Sequence, residues 1–265
     1  MMKSKFLRPL MAYAIAEVNN IWLIGLIPFN QLPFSQFWAV ACERLFSVLC
    51  SLLLIRIFCP TSLRRFTIKI IPGRFLGTIA AFAFMSFPTF LNLRINENSL
   101  LDVMAGFFFA LFIGIDEEIF DRGFVFGLLE RRGIWIAAAL SSIQFGLMHF
   151  GNYFWGGQSL SYTCGQMVEA ASFGFVCVGL LLYSGCIWVP ILLHGLTDWP
   201  MQLESPVTFH SQVSGQAEWL VISISVLINA GLGATLIFGN QISSRERTTQ
   251  ILAHLKLIEK PAGKI

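Results

Sequence analysis

The segment "DEEIFDRGFVFG", residues 116–127, places four acids and an arginine directly behind the apolar run "MAGFFFALFIGI". A charge near a bilayer centre costs about 3 kcal/mol or more on insertion scales. Asp116, Glu117, Glu118, Asp121 and Arg122 therefore need a reason to be there. Glu118 and Arg122 stand four apart, on one helix face, where they can pair. Glu117 is turned about 100° around the helix and is left for other work. Two further polar positions follow in apolar sequence: His149 in "SSIQFGLMHF", and His194 with Asp198, four apart, in "LLHGLTDW". Taken singly, each has a plain structural reading: an interfacial ion pair, a core histidine, a helix hydrogen bond. Together, carboxylates and imidazoles converging in a secluded pocket suit water activation and hydrolysis.

The elements that must position them are apolar helices. The chain is 55% hydrophobic and 12% charged, with 26 Phe and a mean hydropathy of +0.69. Soluble domains carry roughly 25% charge. The composition predicts an all-α, polytopic membrane bundle in contact with the lipid bilayer. The net charge of +3 is small and points to no nucleic-acid partner. Six cysteines show neither C-x-x-C nor metal spacing and read as small hydrophobes.

A span needs about 20 apolar residues, and eight runs qualify: 9–28, 36–58, 75–93, 99–129, 134–151, 161–184, 186–203 and 217–239. The basic start before the first run reads as leading into a retained span rather than a cleaved signal. With an inside N-terminus, fifteen of the 18 basic residues fall on inside segments, Arg94 alone falls outside, and Arg44 and Arg122 lie within spans. That bias predicts a multi-pass protein of the cell membrane with both termini cytoplasmic. The tail "SRERTTQILAHLKLIEKPAGK" reads either as an amphipathic helix on the inner surface or as a solvated tail. From the turn at Arg131–Arg132, Glu117 and His149 lie about 21 and 26 Å along their helices; from the turn near Ser184, His194 and Asp198 lie about 15 and 21 Å along theirs. These depths let the three helices meet in one pocket. Glu169 in the sixth span has no assigned role and either lines a cavity or sits at the outer interface.

"EEIFDRG", the F-x-x-x-H of Phe145 to His149, and the H-x-x-x-D of His194 to Asp198 stand on successive helices in a fixed order. Together with "SFGFVCVGLLLYSGCIWVPILLH" before the last motif, they resemble the CPBP intramembrane proteases, also called type II CAAX prenyl endopeptidases or the Abi family. The resemblance covers about residues 99–203, and divides the chain into N-terminal helices (1–98), a catalytic core (99–203), and a last helix with a basic tail (204–265). It implies an eight-helix membrane bundle and an intramembrane endopeptidase acting on a membrane-associated or lipidated protein or peptide. Glu117 would be the base that activates water, and His149 would hold that water. His194 and Asp198 would stabilise the oxyanion, and Glu118 and Arg122 would shape the site. The family's last motif position is often Asn, whereas this chain has Asp198. An ionised Asp cannot donate to an oxyanion, so the expectation here is that Asp198 orients His194. The family name implies a metalloprotease, and two histidines with a carboxylate could hold zinc. There is no H-E-x-x-H, and the motif fits a metal-free glutamate hydrolase as well; that is the reading favoured here. Two other functions compete: a partner-binding membrane protein that cuts nothing, and a small-solute transporter, for which the prolines of the seventh span speak. No G-x-S-G or G-x-G-D motif points to other intramembrane proteases.

Overall fold

In hydrocarbon a backbone N–H or C=O without a partner costs several kcal/mol, so a chain this rich in apolar residues is driven into helices. The computed structural model describes residues 36–93, 98–154, 157–203 and 216–254, whose regular structure is entirely helical. Helix α1 (Gln36–Phe58) leads through a 3-10 segment (Pro60–Phe66) to α2 (Phe75–Asn92). Helix α3 (Leu100–Glu118) runs on without a break as a π-helix over Ile119–Val125 and a closing α turn, Phe126–Leu129. Then come α4 (Ile134–Met148), α5 (Leu160–Ser184), α6 (Trp188–Asp198) and α7 (Gln216–His254). Each expected run from 36–58 onward falls on one of these helices; the run 9–28 lies outside the described residues.

Two boundaries differ from the sequence reading. Helix α6 has 11 residues, about 16 Å of length, short of the ~30 Å hydrocarbon core. It stops because Pro200 cannot continue an α-helix, and the chain turns into a 3-10 segment at Pro200–Leu203. Helix α7 runs unbroken to His254, so the basic stretch up to that residue continues the last helix; residues 255–265 lie outside the described residues.

The outer surface is that of a membrane protein. Leu45, Leu49 and Leu53 recur every fourth residue on α1 and are exposed, as are Ile136, Leu140, Ile143 and Leu147 on α4. Such stripes at helical spacing face an apolar medium rather than water. Among the described residues, Ile134–Phe154, Leu160–Ser184 and Trp219–Ser244 are long and apolar enough to cross a membrane.

Helix α5 packs between α4 and α7, while α6 packs on α3. The side chains of Ile55, Phe120, Phe124, Val178, Leu181 and Ile191 form the main core between these groups. Three connections gather at one end. Arg65 of the 3-10 segment pairs with Glu130 after α3, Ile187 N–H donates to the Arg65 carbonyl at 2.9 Å, and Ile71 N–H donates to the Ser184 carbonyl at 2.8 Å. Gly185 makes the α5–α6 turn possible: at φ 75° it adopts the left-handed conformation that closes a helix. At the other end, Trp199 Nε1 donates to the Val103 carbonyl at 3.0 Å and ties the end of α6 to the start of α3.

The α3–α6 contact sets the site. A Cβ on Gly114 would stand 2.8 Å from the Ile191 carbonyl oxygen and 3.0 Å from Gly195 N; one on Gly195 would stand 2.9 Å from Leu111 Cα. The two backbones therefore touch, and small residues allow it. One turn beyond Gly114 is Glu118, and next to Gly195 is His194. Gly114→Val should force the helices apart. We expect a loss of about 2 kcal/mol or more from overpacking, read as a lower melting temperature in detergent together with lost function. A variant that melts with the wild type would show that the contact is dispensable.

Candidate active site

Glu118 lies at the end of regular α winding in α3, fully buried, with Oε1 2.9 Å from His194 Nδ1 and Oε2 3.1 Å from Arg122 Nε. A carboxylate accepts, so Nδ1 carries the proton that faces Glu118. Arg122 is equally buried. Its guanidinium stacks over the Phe145 ring at 4.4 Å, and Asp121 lies 3.8 Å from its Nη1. Gly174 on α5 makes room for it, since a Cβ there would stand 2.8 Å from Arg122 Nη2. The pairing of Glu118 with Arg122 expected from their spacing is present, although the backbone between them winds as a π-helix. Holding His194 is a further task of Glu118 that the spacing did not reveal.

His194 Nε2 faces the other two carboxylates, Asp198 Oδ2 at 3.4 Å and Glu117 Oε2 at 3.7 Å. Orientation of the ring is thus shared: Glu118 holds Nδ1, and Asp198 meets Nε2 from one turn further along α6. Phe145 and Phe173 pack edge-on against the imidazole with centroids 5.7 and 5.5 Å away, closing its sides. Phe145 also packs edge-on against His149 at 5.1 Å, so one ring braces both histidines and Arg122. His149, at the C-terminal end of α4, has Nδ1 3.0 Å from the Phe145 carbonyl. A carbonyl only accepts, so Nδ1 is the protonated nitrogen and Nε2 of the neutral ring is an acceptor.

Glu117, His149, His194 and Asp198 all line one cavity of about 1390 Å³. Glu118 and Arg122 stand behind it, in the buried layer. Glu169, Gln166 and Asn152 line the same cavity, which settles the placement of Glu169. Phe84 and Phe87 of α2 and Val221 and Ile224 of α7 line the cavity and are exposed. Helices α2 and α7 thus give this part of the cavity an apolar lining, and they are joined elsewhere by Arg74 Nη1 and Asn240 Oδ1 at 2.8 Å.

Zinc fits poorly. Among the described residues, no three His, Cys, Asp or Glu side chains form a group that could hold a metal ion. His194 presents both ring nitrogens to carboxylates.

The sequence reading did not foresee Arg44 of α1, whose Nη1 lies 2.9 Å from Asp116 Oδ2 and 3.5 Å from Glu117 Oε1. Its one signal was a cation inside an apolar run.

Residues 98–200 match the family described as type II CAAX prenyl endopeptidase Rce1-like. The match is shorter than half of the chain, yet it spans α3 to α6 and holds all three motifs. This segment is thus similar to the CPBP/CAAX protease family. No curated protein and no solved structure matches the chain.

Proposed function

We propose that the protein is an intramembrane endopeptidase that hydrolyses a peptide bond of a membrane-associated or lipidated protein or peptide. The observation that carries this reading is the placement of Glu117: its carboxylate lines the cavity while Oε2 faces His194 Nε2 at 3.7 Å. Glu117 takes a proton from water as the oxygen attacks the scissile carbonyl carbon. His149, an acceptor at Nε2, holds that water. The carbonyl oxygen gains negative charge, which Nε2–H of His194 in its imidazolium form stabilises while Nδ1–H stays with Glu118. Glu117 then returns its proton to the leaving amine as the C–N bond breaks. Glu118 and Arg122 fix His194 from behind, and Asp198 keeps its Nε2 turned toward the cavity. No step runs through a metal. The apolar lining that α2 and α7 give the cavity favours a substrate with an apolar attachment or segment, as a prenylated or membrane-anchored chain has.

The test is a comparison of membrane-protein termini between cells carrying the wild type and cells carrying Glu117→Gln. One new terminus that appears only with the wild type supports the reading and identifies the substrate. Identical termini would leave a partner-binding protein as the better account.

The proposal includes a multi-pass arrangement with cytoplasmic termini and eight crossings, the seventh made by short α6 with its 3-10 extension to Leu203. In its favour, the α1–α2, α3–α4 and α5–α6 connections lie at one end of the bundle and hold Arg64, Arg65, Lys69, Arg131 and Arg132. Reporter fusions at Thr208 and Lys260 should then report opposite sides of the membrane. Both on one side would overturn the arrangement.

A further inference from the structure

We propose that Arg44 is a positioning residue for Glu117, so that α1, which precedes the family-matched segment, supplies part of the active site. The inference rests on the hydrolase reading above. The two oxygens of Glu117 are engaged from different helices. Oε1 lies 3.5 Å from Arg44 Nη1 on α1, and Oε2 lies 3.7 Å from His194 Nε2 on α6. A carboxylate held at one oxygen is restrained from swinging, so the other oxygen stays aimed at His194 Nε2 in the cavity.

Arg44 is itself fixed. Nη1 has two N–H groups, and one is directed to Asp116 Oδ2 at 2.9 Å. Asp116 is the more buried partner, at 9% side-chain exposure against 30% for Arg44. Ser47, one turn along α1, also hydrogen-bonds Asp116. Asp116 thus anchors the arginine, and the arginine reaches across to the neighbouring glutamate. Arg44, Ser47, Asp116 and Glu117 all line the cavity, so this arrangement stands in the site itself. It also gives the acidic run a division of labour: Asp116 holds Arg44, Glu117 faces the cavity, Glu118 holds His194.

The competing role for Arg44 is structural, as the counter-charge of a mostly buried carboxylate, and a paired substitution separates the two. Arg44→Gln should lower the abundance of the Glu117-dependent terminus by 10- to 100-fold, the usual effect of losing a residue that orients a reacting group. It should also lower the melting temperature, because Asp116 loses its partner. Arg44→Gln combined with Asp116→Asn removes both charges. Melting temperature should then return toward wild type while cleavage stays low, because Glu117 Oε1 is still unheld. Arg44→Lys, which keeps a cationic donor, should retain more cleavage than Arg44→Gln. Recovery of cleavage together with stability in the paired variant would overturn the positioning role, as would wild-type cleavage by Arg44→Gln. Where Arg44→Gln does not accumulate, the paired and lysine variants decide. If Glu117→Gln itself cleaves like the wild type, the hydrolase reading falls first; if Glu117→Gln is dead while the paired variant is active, only the role of Arg44 falls.

Discussion

Glu117→Gln is expected to abolish cleavage while leaving the fold intact. Gln has nearly the volume of Glu, and its amide oxygen can still accept from Arg44, so the cavity wall keeps its shape. What it lacks is a carboxylate oxygen that can take up a proton. Loss of a general base removes about 10²–10⁴ in rate, and here the same group would also return the proton to the leaving amine. Among the described residues, the two other carboxylates beside His194 are differently placed. Asp198 meets the same His194 nitrogen but from α6, and Glu118 lies buried behind the ring, engaged with Nδ1 and Arg122. The measurement is cleavage of the substrate found by terminal proteomics, beside a melting curve of the purified protein in detergent. Undiminished cleavage by a normally folded Glu117→Gln protein would remove Glu117 from the chemistry.

Arg122→Ala should have the largest effect on stability. The guanidinium and the Glu118 carboxylate are essentially sealed from solvent, at 1% and 0% exposure. Removing one member of such a pair costs about 3–5 kcal/mol, because a buried charge is left without compensation. The variant also loses the stack on Phe145, worth about 0.5–2 kcal/mol, and opens space beside Gly174. In a chain of this size that amounts to a melting temperature lower by roughly 10 °C. Function should fall with it, since Glu118 holds His194. Adding Glu118→Gln to Arg122→Ala should recover part of the stability but not the function. An Arg122→Ala protein melting with the wild type would contradict the pairing.

The bundle was legible in the sequence where local chemistry decides it. Apolar runs bounded by basic turns fixed the positions of most described helices. The four-residue spacings of Glu118 to Arg122 and of His194 to Asp198 both end in contacts at 3.1 and 3.4 Å. The depth argument placed Glu117, His149 and His194 in one pocket, and they line one cavity. The remainder depends on contacts between distant residues. Nothing near Glu118 announces that its second partner is His194, 76 positions on. Arg44 and Asp116 meet across 72 positions. The aromatic bracing of His194 by Phe145 of α4 and Phe173 of α5 brings three helices together, which none of them reveals alone. Nor does "IFDRGFV" carry a visible sign of π winding; it is neither proline-broken nor unusual in composition.

That winding has a consequence for how the gene can vary. A π-helical turn is an α-helix carrying one surplus residue. Deleting one residue between Ile119 and Val125 would let the stretch close to ordinary α pitch while the helix on either side keeps its direction and phase, so Glu117 and Glu118 before it and Phe126 after it keep their places. A change of length in the regular turns of α3 has no such outlet and turns everything beyond it by about 100°. A comparison of relatives should therefore find single-residue gaps gathered in this stretch and excluded from the turns that carry Gly114, Glu117 and Glu118.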